Sequence, residues 1–246
     1  GFEMEFYLAD PQGGADGQPD APASPLTGAK PIRDGALAID EVNDHDALIN
    51  EIYAACQLQM IEADTTISEA GLGQFEINLV HSHDAMKAAD DAAFFKQIAK
   101  GVARKYGLAA SFMAKPYADR PGNGMHLHIS LLDGKGKNVF DDGSDAGSPV
   151  LGHALAGALA GLADSMLVFA PHQNSYRRFA IESHAPMAVC WGYENRTAAL
   201  RVPLGPPSQR RIEHRVSGAD ANPYLVLAAI LGAILTGLED QKPPPP

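Results

Sequence analysis

Hydrophobic and polar residues alternate over several short stretches of this 246-residue chain. Between those stretches the period lengthens to three or four residues. A strand turns every second side chain to one face and a helix every third or fourth, so the two periods predict two kinds of element. Strand-like runs cover Phe2–Leu8, Gln74–Leu79 and Met125–Leu131, with shorter ones around Arg201 and from Glu213 to Arg215. A first helix, capped by Asn43 or Asp44, carries Leu48, Ile49, Ile52, Tyr53 and Cys56 on its apolar face. A second starts at Ser82 or Asp84 and stops at Tyr106, with Gly107 to close it. Ser148–Pro149 opens a third, ending near Phe169, and Asn222–Pro223 opens a fourth. The Gly-, Pro- and Asp-rich segment Asp10–Lys30 reads as a long loop.

The polar faces of the strands are unusual. Glu3 and Glu5 share one face, as do Gln74, Glu76 and Asn78, and His126, His128 and Ser130. A half-buried antiparallel strand commonly shows water Thr, Ser or Lys. These show Glu, His, Gln, Asn and Arg, with no lysine. The pattern predicts one sheet whose polar face lines a cleft.

Composition narrows the setting. Hydrophobic residues make up 46% and charged residues 20%, ordinary values for a globular domain. A net charge of -11 argues against nucleic acid or an anionic membrane as partner. Cys56 and Cys190 are too few for a disulfide framework or a cysteine metal site. The apolar stretches Leu151–Ala170 and Tyr224–Leu238 carry regular Gly and Ala, and the first holds His153 and Asp164, so neither reads as a membrane span. With no secretory signal visible, the cytoplasm is the expected compartment. The ends, a strand at residue 2 and Pro243–Pro246 directly after a helix, fit a fragment of something longer.

Two groups of residues carry chemistry. Glu3, Glu5, Glu69, Glu76 and Glu213, with the imidazole of His126, form a hard, oxygen-rich set suited to Mg²⁺ or Mn²⁺ rather than structural zinc. Carboxylates crowded into one cleft need cations to offset their repulsion. A lone Glu-x-Glu is more often a solvated strand face. Seven of the ten arginines lie between Arg177 and Arg215, where there is no lysine. Arginine forks bind phosphate and carboxylate, so acids on one side of a cleft and fixed arginines on the other would suit phosphoryl transfer. Composition alone leaves a structural ion-pair network open as the other reading. No Walker loop, dinucleotide fingerprint or nucleophile elbow competes. His81 and His83 lack a third ligand nearby and read as a helix-entry segment.

Six segments in order resemble the glutamine synthetase family: Gly1–Leu8, Glu69–Glu76, Gly124–Ser130, Asn174–Arg178, Asn195–Pro203, and Arg211–Arg215 followed by Ala221–Leu225. The resemblance implies the α+β catalytic-domain fold shared with guanidino kinases, a curved antiparallel sheet with a polar active-site face backed by helices, over residues 1–246. It implies two or more Mg²⁺ or Mn²⁺ sites, one held by Glu5, Glu69 and Glu76 and another by Glu3, His126 and Glu213, converging in one cleft. It further implies ATP contacts at His128, Ser130, Arg196 and Arg201, and glutamate contacts at Gly122, Arg178 and Arg215. Glutamate would be phosphorylated on its side-chain carboxylate, and an amine would then displace the phosphate, with Arg196 and a mobile loop taking part.

Three departures from the family pattern matter. Pro121-Gly122 stands where the family has Asn-Gly, which changes one contact to the amino-acid substrate. The loop glutamate of ammonia-using members is replaced by His184, with Glu182 two residues earlier. The family's small N-terminal domain, which completes each site from a neighbouring subunit, is not among these residues. The full-length protein is therefore expected to form a homo-oligomeric ring, and this fragment to be monomeric or weakly associated. Its expected activity is that of a glutamate–amine ligase preferring an alkylamine or polyamine. Ammonia is the alternative amine, and a non-catalytic structural relative the alternative of another class.

Overall fold

The structure, a computed structural model, describes residues 1–12, 14, 19–31, 35–180 and 183–246. They form two compact units, Gly1–Gly124 and Met125–Pro246. In the first, β1 (Phe2–Ala9) is followed by α1 (Ile39–Asp44), α2 (Asp46–Leu58), β2 (Ala63–Ser68), β3 (Gln74–Leu79), α3 (Ala85–Lys105) and β4 (Ala109–Ser111). β3 pairs antiparallel with both β1 and β2, and β4 pairs antiparallel with β1. The register puts Met4 opposite Ile77 and Phe6 opposite Phe75 on one face, and Glu3 opposite Asn78 and Glu5 opposite Glu76 on the other.

The apolar face is covered by α3. Phe6 packs on Phe75, Phe95 and Phe112 with ring centroids 6.3, 6.1 and 5.4 Å apart. Ala88, Ala92, Phe95, Ala99, Val102 and Ala103 form the buried stripe of α3, at the spacing a single helical face requires. Asp84 caps that helix, its Oδ1 accepting from the Met86 and Lys87 amides at 2.9 and 3.1 Å. Gly107 follows its end in the left-handed region, at φ 72. Asp10 and Asp20 form an isolated bridge at the mouth of the expected long loop.

The first helix differs from expectation. Asn43 and Asp44 close α1 instead of capping α2, and the junction residue His45 supplies no side-chain cap. Its imidazole is buried edge-on against Phe75 at 5.4 Å, and Nδ1 bonds the Glu41 carbonyl at 3.1 Å. Burial of a ring holds this helix start where a surface cap was expected.

The second unit contains β5 (Met125–Ile129), α4 (Pro149–Ala160), α5 (Met166–Phe169), β6 (Trp191–Tyr193), β7 (Leu200–Val202), β8 (Ile212–His214) and α6 (Pro223–Asp240). β8 pairs antiparallel with β5 and β7, while β6 pairs parallel with β7. The sheet is thus mixed at this edge rather than purely antiparallel; the fold class is α+β. α4 ends at Ala160, and the stretch expected to run on to Phe169 turns at Gly161 and resumes as the one-turn α5. Glycine sustains a helix poorly, and Gly152, Gly157 and Gly161 thin this one out.

α4 and α6 cross at two glycines. A Cβ on Gly157 would lie 2.6 Å from the Cα of Gly237, and one on Gly237 would meet Gly157 at 2.7 Å. α6 is long and apolar enough to cross a membrane by length and composition, with 33% of its window buried.

Candidate active site

In Gly1–Gly124 the carboxylates stand on the polar face of β1 and β3. Glu5 lies directly opposite Glu76, Glu3 is two residues along, and Glu76 is only 6% exposed. Like charges placed directly opposite destabilise a strand pair unless something offsets them. Part of the offset is local, since Glu5 Oε2 accepts the Gly124 amide at 2.6 Å.

Glu69 begins the turn into β3, its amide donating to the Gln74 carbonyl at 2.8 Å. Two glycines permit that turn: Gly73 sits at φ 76, and a Cβ on Gly71 would overlap the Tyr7 hydroxyl. Gln74 ties the region together. Its Oε1 accepts from the Gly71 amide at 3.1 Å, and its Nε2 donates to the Gly122 carbonyl at 3.1 Å and Asn123 Oδ1 at 3.0 Å. Asn123, fully buried, donates in turn to the Ser111 and Met113 carbonyls at 3.2 and 2.9 Å. Gly122 is thereby held through its backbone. Sequence reasoning noticed neither Gln74 nor Asn123 as a support; a buried Gln and Asn flanking glycine-rich turns was the available signal.

In Met125–Pro246 the centre is Glu213 on β8, with no exposed surface. Arg201 NH1 on β7 donates to its Oε2 at 2.6 Å, and Arg215 NH1 donates to Oε1. His126 Nδ1 on β5 is 3.7 Å from Oε1. One carboxylate thus faces two permanently charged guanidinium groups.

His128, paired in register with Glu213, accepts at Nδ1 from Arg211 Nε at 3.0 Å. A guanidinium only donates, so Nδ1 of His128 is the acceptor in this contact. His214 points to the other face and packs on Phe169 at 4.6 Å. Burial, with His126 nearby, pushes its imidazole down to about 3, so it carries no charge at neutral pH.

The remaining candidates are more dispersed. Ser130 is exposed just past β5, and Arg196 is exposed between β6 and β7, its carbonyl accepting from Arg215 Nε at 3.0 Å. Arg178 is buried, and its NH1 and NH2 donate to the Val216 and Arg215 carbonyls at 2.8 and 3.2 Å. Its fork grips backbone next to Arg215. His184 is exposed, and Glu182 lies outside the described residues. Arg211 and Glu194 were given no role from sequence; Arg211 opens one of the six family-like segments, and Glu194 directly precedes another.

Comparison with known proteins gives this arrangement its context. The family model for the glutamine synthetase catalytic domain matches residues 1–246. The gamma-glutamylputrescine synthetase of Escherichia coli (strain K12) is 44% identical over 241 residues, 98% of this chain and 51% of that protein. A glutamate–isopropylamine ligase from a Pseudomonas species is 37% identical over 249 residues, 99% of this chain and 52% of that one. A solved GmaS/ADP complex matches with a TM-score of 0.85 at 33% identity, covering 100% of this chain and 56% of that one. The chain therefore spans about half the length of the curated relatives it matches. On the model match over its whole length and on these identities, the chain belongs to the glutamine synthetase family, through its catalytic domain.

Proposed function

We propose that the protein containing this chain is an ATP-dependent ligase that forms a γ-glutamyl amide from glutamate and an amine, the amine being an alkylamine or a polyamine. The observation that carries the reading is the buried Glu213 bracketed by Arg201 and Arg215, in a chain that fills all six metal-ligand positions of the family pattern. A structural relative has no need to keep all six metal-ligand positions filled.

The donor set fits divalent cations. Glu5, Glu69 and Glu76 would hold one, and Glu3, His126 and Glu213 another; both are hard, oxygen-rich sets, and the opposed Glu5 and Glu76 call for a positive partner. Bound Mg²⁺ or Mn²⁺ would supply charge neutralisation at phosphate oxygens.

The chain's own groups account for the rest. Arg196 and Arg201 offer donors for the phosphates of ATP, and His128 and Ser130 offer hydrogen bonds to the nucleotide. Arg178, Arg215 and the backbone of Gly122 hold glutamate. The γ-carboxylate oxygen of glutamate attacks the γ-phosphorus and ADP leaves. The amine nitrogen then attacks the acyl carbon, phosphate leaves with the bonding pair, and a base takes the amine proton. His184 is one candidate for that base and Glu182 the other; ideal catalytic pKa values lie near the working pH.

The amine class follows from His184, which stands where a carboxylate would concentrate ammonium. A histidine, neutral or cationic, binds ammonium poorly, while an alkylamine brings apolar contacts of its own. The relatives at 44% and 37% identity carry names of amine ligases, which supports the same choice. The reading includes a cytoplasmic setting and, for the full-length protein, a homo-oligomeric ring, which light scattering tests. The deciding experiment is phosphate release by the full-length protein with ATP, glutamate and Mg²⁺ across ammonia, monoamines and diamines. An alkylamine or diamine is expected to give the highest kcat/KM. Preference for ammonia would overturn the amine assignment, and no release with any amine would overturn the ligase itself.

A further inference from the structure

Glu194 is the unexplained residue around Arg201. It follows β6 directly and adopts a left-handed backbone, φ 53, which a residue with a Cβ takes up only under constraint. Its amide donates to the Val202 carbonyl at 3.2 Å. Its carboxylate accepts the Leu204 amide and also receives Arg201 NH2, at 3.3 Å on Oε1 and 3.2 Å on Oε2. The Leu204 amide, with Arg201 beside it, holds the carboxyl below the usual range.

Arg201 is therefore stretched between two acids: NH1 to the buried Glu213 and NH2 to Glu194, whose side chain is 40% exposed. Arg201 Nε is buried and has no hydrogen-bond partner among the described residues. An ion pair to an exposed carboxylate adds little to stability, and a left-handed glutamate subtracts from it. Stability does not account for this residue. Orientation does: an arginine has several rotatable bonds, and gripping both terminal nitrogens leaves its guanidinium plane one setting.

We propose that Glu194 is a positioning residue, which fixes the guanidinium of Arg201 for the phosphates of the nucleotide. This rests on the reading of Arg201 as a phosphate contact. The substitution Glu194→Gly removes the carboxylate while leaving a backbone free to keep φ positive, so the fold survives it.

The test is calorimetric binding of Mg²⁺-ATP to the full-length protein, together with steady-state kinetics. Glu194→Gly is expected to weaken ATP about tenfold, the size of one loosened charge-assisted contact, and to raise KM for ATP alike. KM for glutamate and the melting temperature are expected to stay as they were. Glu194→Gln, which keeps an acceptor oxygen without the charge, is expected to fall between. Combined with Arg201→Ala, Glu194→Gly is expected to add nothing to the loss from Arg201→Ala alone.

Unchanged ATP binding in Glu194→Gly, multiplying effects in the double variant, or an equal loss in every parameter with a lowered melting temperature would each overturn the proposal. The binding arm is independent of the amine. A wild type that binds ATP but releases no phosphate with any amine would sink the ligase reading, while the Glu194 variants still decide this one.

Discussion

Glu213 has no exposed surface, and its two oxygens face Arg201 and Arg215, with His126 close by. Removing one partner of a buried charge network leaves the others desolvated and uncompensated, which costs about 3–5 kcal/mol. Glu213→Ala is therefore expected to lower the unfolding free energy by about that amount, as urea denaturation would measure; a loss below about 1 kcal/mol would mean that water reaches the arginines. His184 tests chemistry at the same scale. Burying four methylenes of a diamine contributes roughly 3 kcal/mol at about 0.8 each, so such an amine can dispense with an attracting loop charge, whereas ammonium cannot. His184→Glu is expected to raise kcat/KM for ammonia relative to alkylamines in the full-length protein. An unchanged ratio would remove His184 from the specificity argument.

Among the elements, the α4–α6 crossing depends on Gly157 and Gly237, where the backbones approach too closely for any side chain. A leucine at 157 would have to push apart main-chain atoms, which do not yield as a flexible side chain does. Gly157→Leu is expected to destabilise by about 3 kcal/mol or more. Gly101, inside α3, has nothing within 4 Å of an added Cβ. Gly101→Ala is accordingly expected to stabilise by about 0.5–1 kcal/mol through helix propensity alone. Urea midpoints moving in the same direction for both would refute this account. In α2, burial pushes the Cys56 thiol up to about 11 from 9.0. The folded state keeps the proton that the unfolded chain gives up above pH 9, so this contribution to stability is complete below pH 9 and lost as pH rises towards 11. Cys56→Ala is expected to flatten that alkaline decline, even though it lowers stability at neutral pH.

At the scale of the whole chain, the charges are unevenly divided. Residues 1–124 carry 19 Asp and Glu against 9 Lys and Arg, whereas residues 125–246 carry 11 against 10. The surplus acid thus belongs to the unit holding Glu3, Glu5, Glu69 and Glu76, and the arginines to the unit holding Glu213. A cation that binds only the native carboxylates stabilises it by about 2.7 kcal/mol at a hundredfold excess over its Kd. For a chain of this size that is a rise of roughly 5–10 °C in melting temperature. Mn²⁺ is expected to produce such a rise, and Glu76→Gln to abolish most of it; an equal response in both proteins would count against Glu76 as a ligand.

Much of this was legible from residue order. Period 2 put Glu3 and Glu5 on one face and Met4 and Phe6 on the other, because a strand has only two faces and the apolar one must be buried. Asp84, Ser148 and Asn222 marked three helix starts, because each lies just before a helical period and can accept the free amides there. Other features depend on partners distant in the chain, which periodicity does not encode. The parallel edge of β6 and the buried ring of His45 in place of a cap came from packing. So did the roles of particular polar groups. Arg178 and Arg211 both belong to the arginine-rich segment, yet one grips main-chain carbonyls and the other donates to Nδ1 of His128. Nothing in residue order ties Glu194 to Arg201, yet its carboxylate accepts from that guanidinium 7 residues further on. Local order determined which side chains share a face; closure of the chain decided which of them meet, because hydrogen bonds and ion pairs depend on ångströms and sequence spacing does not.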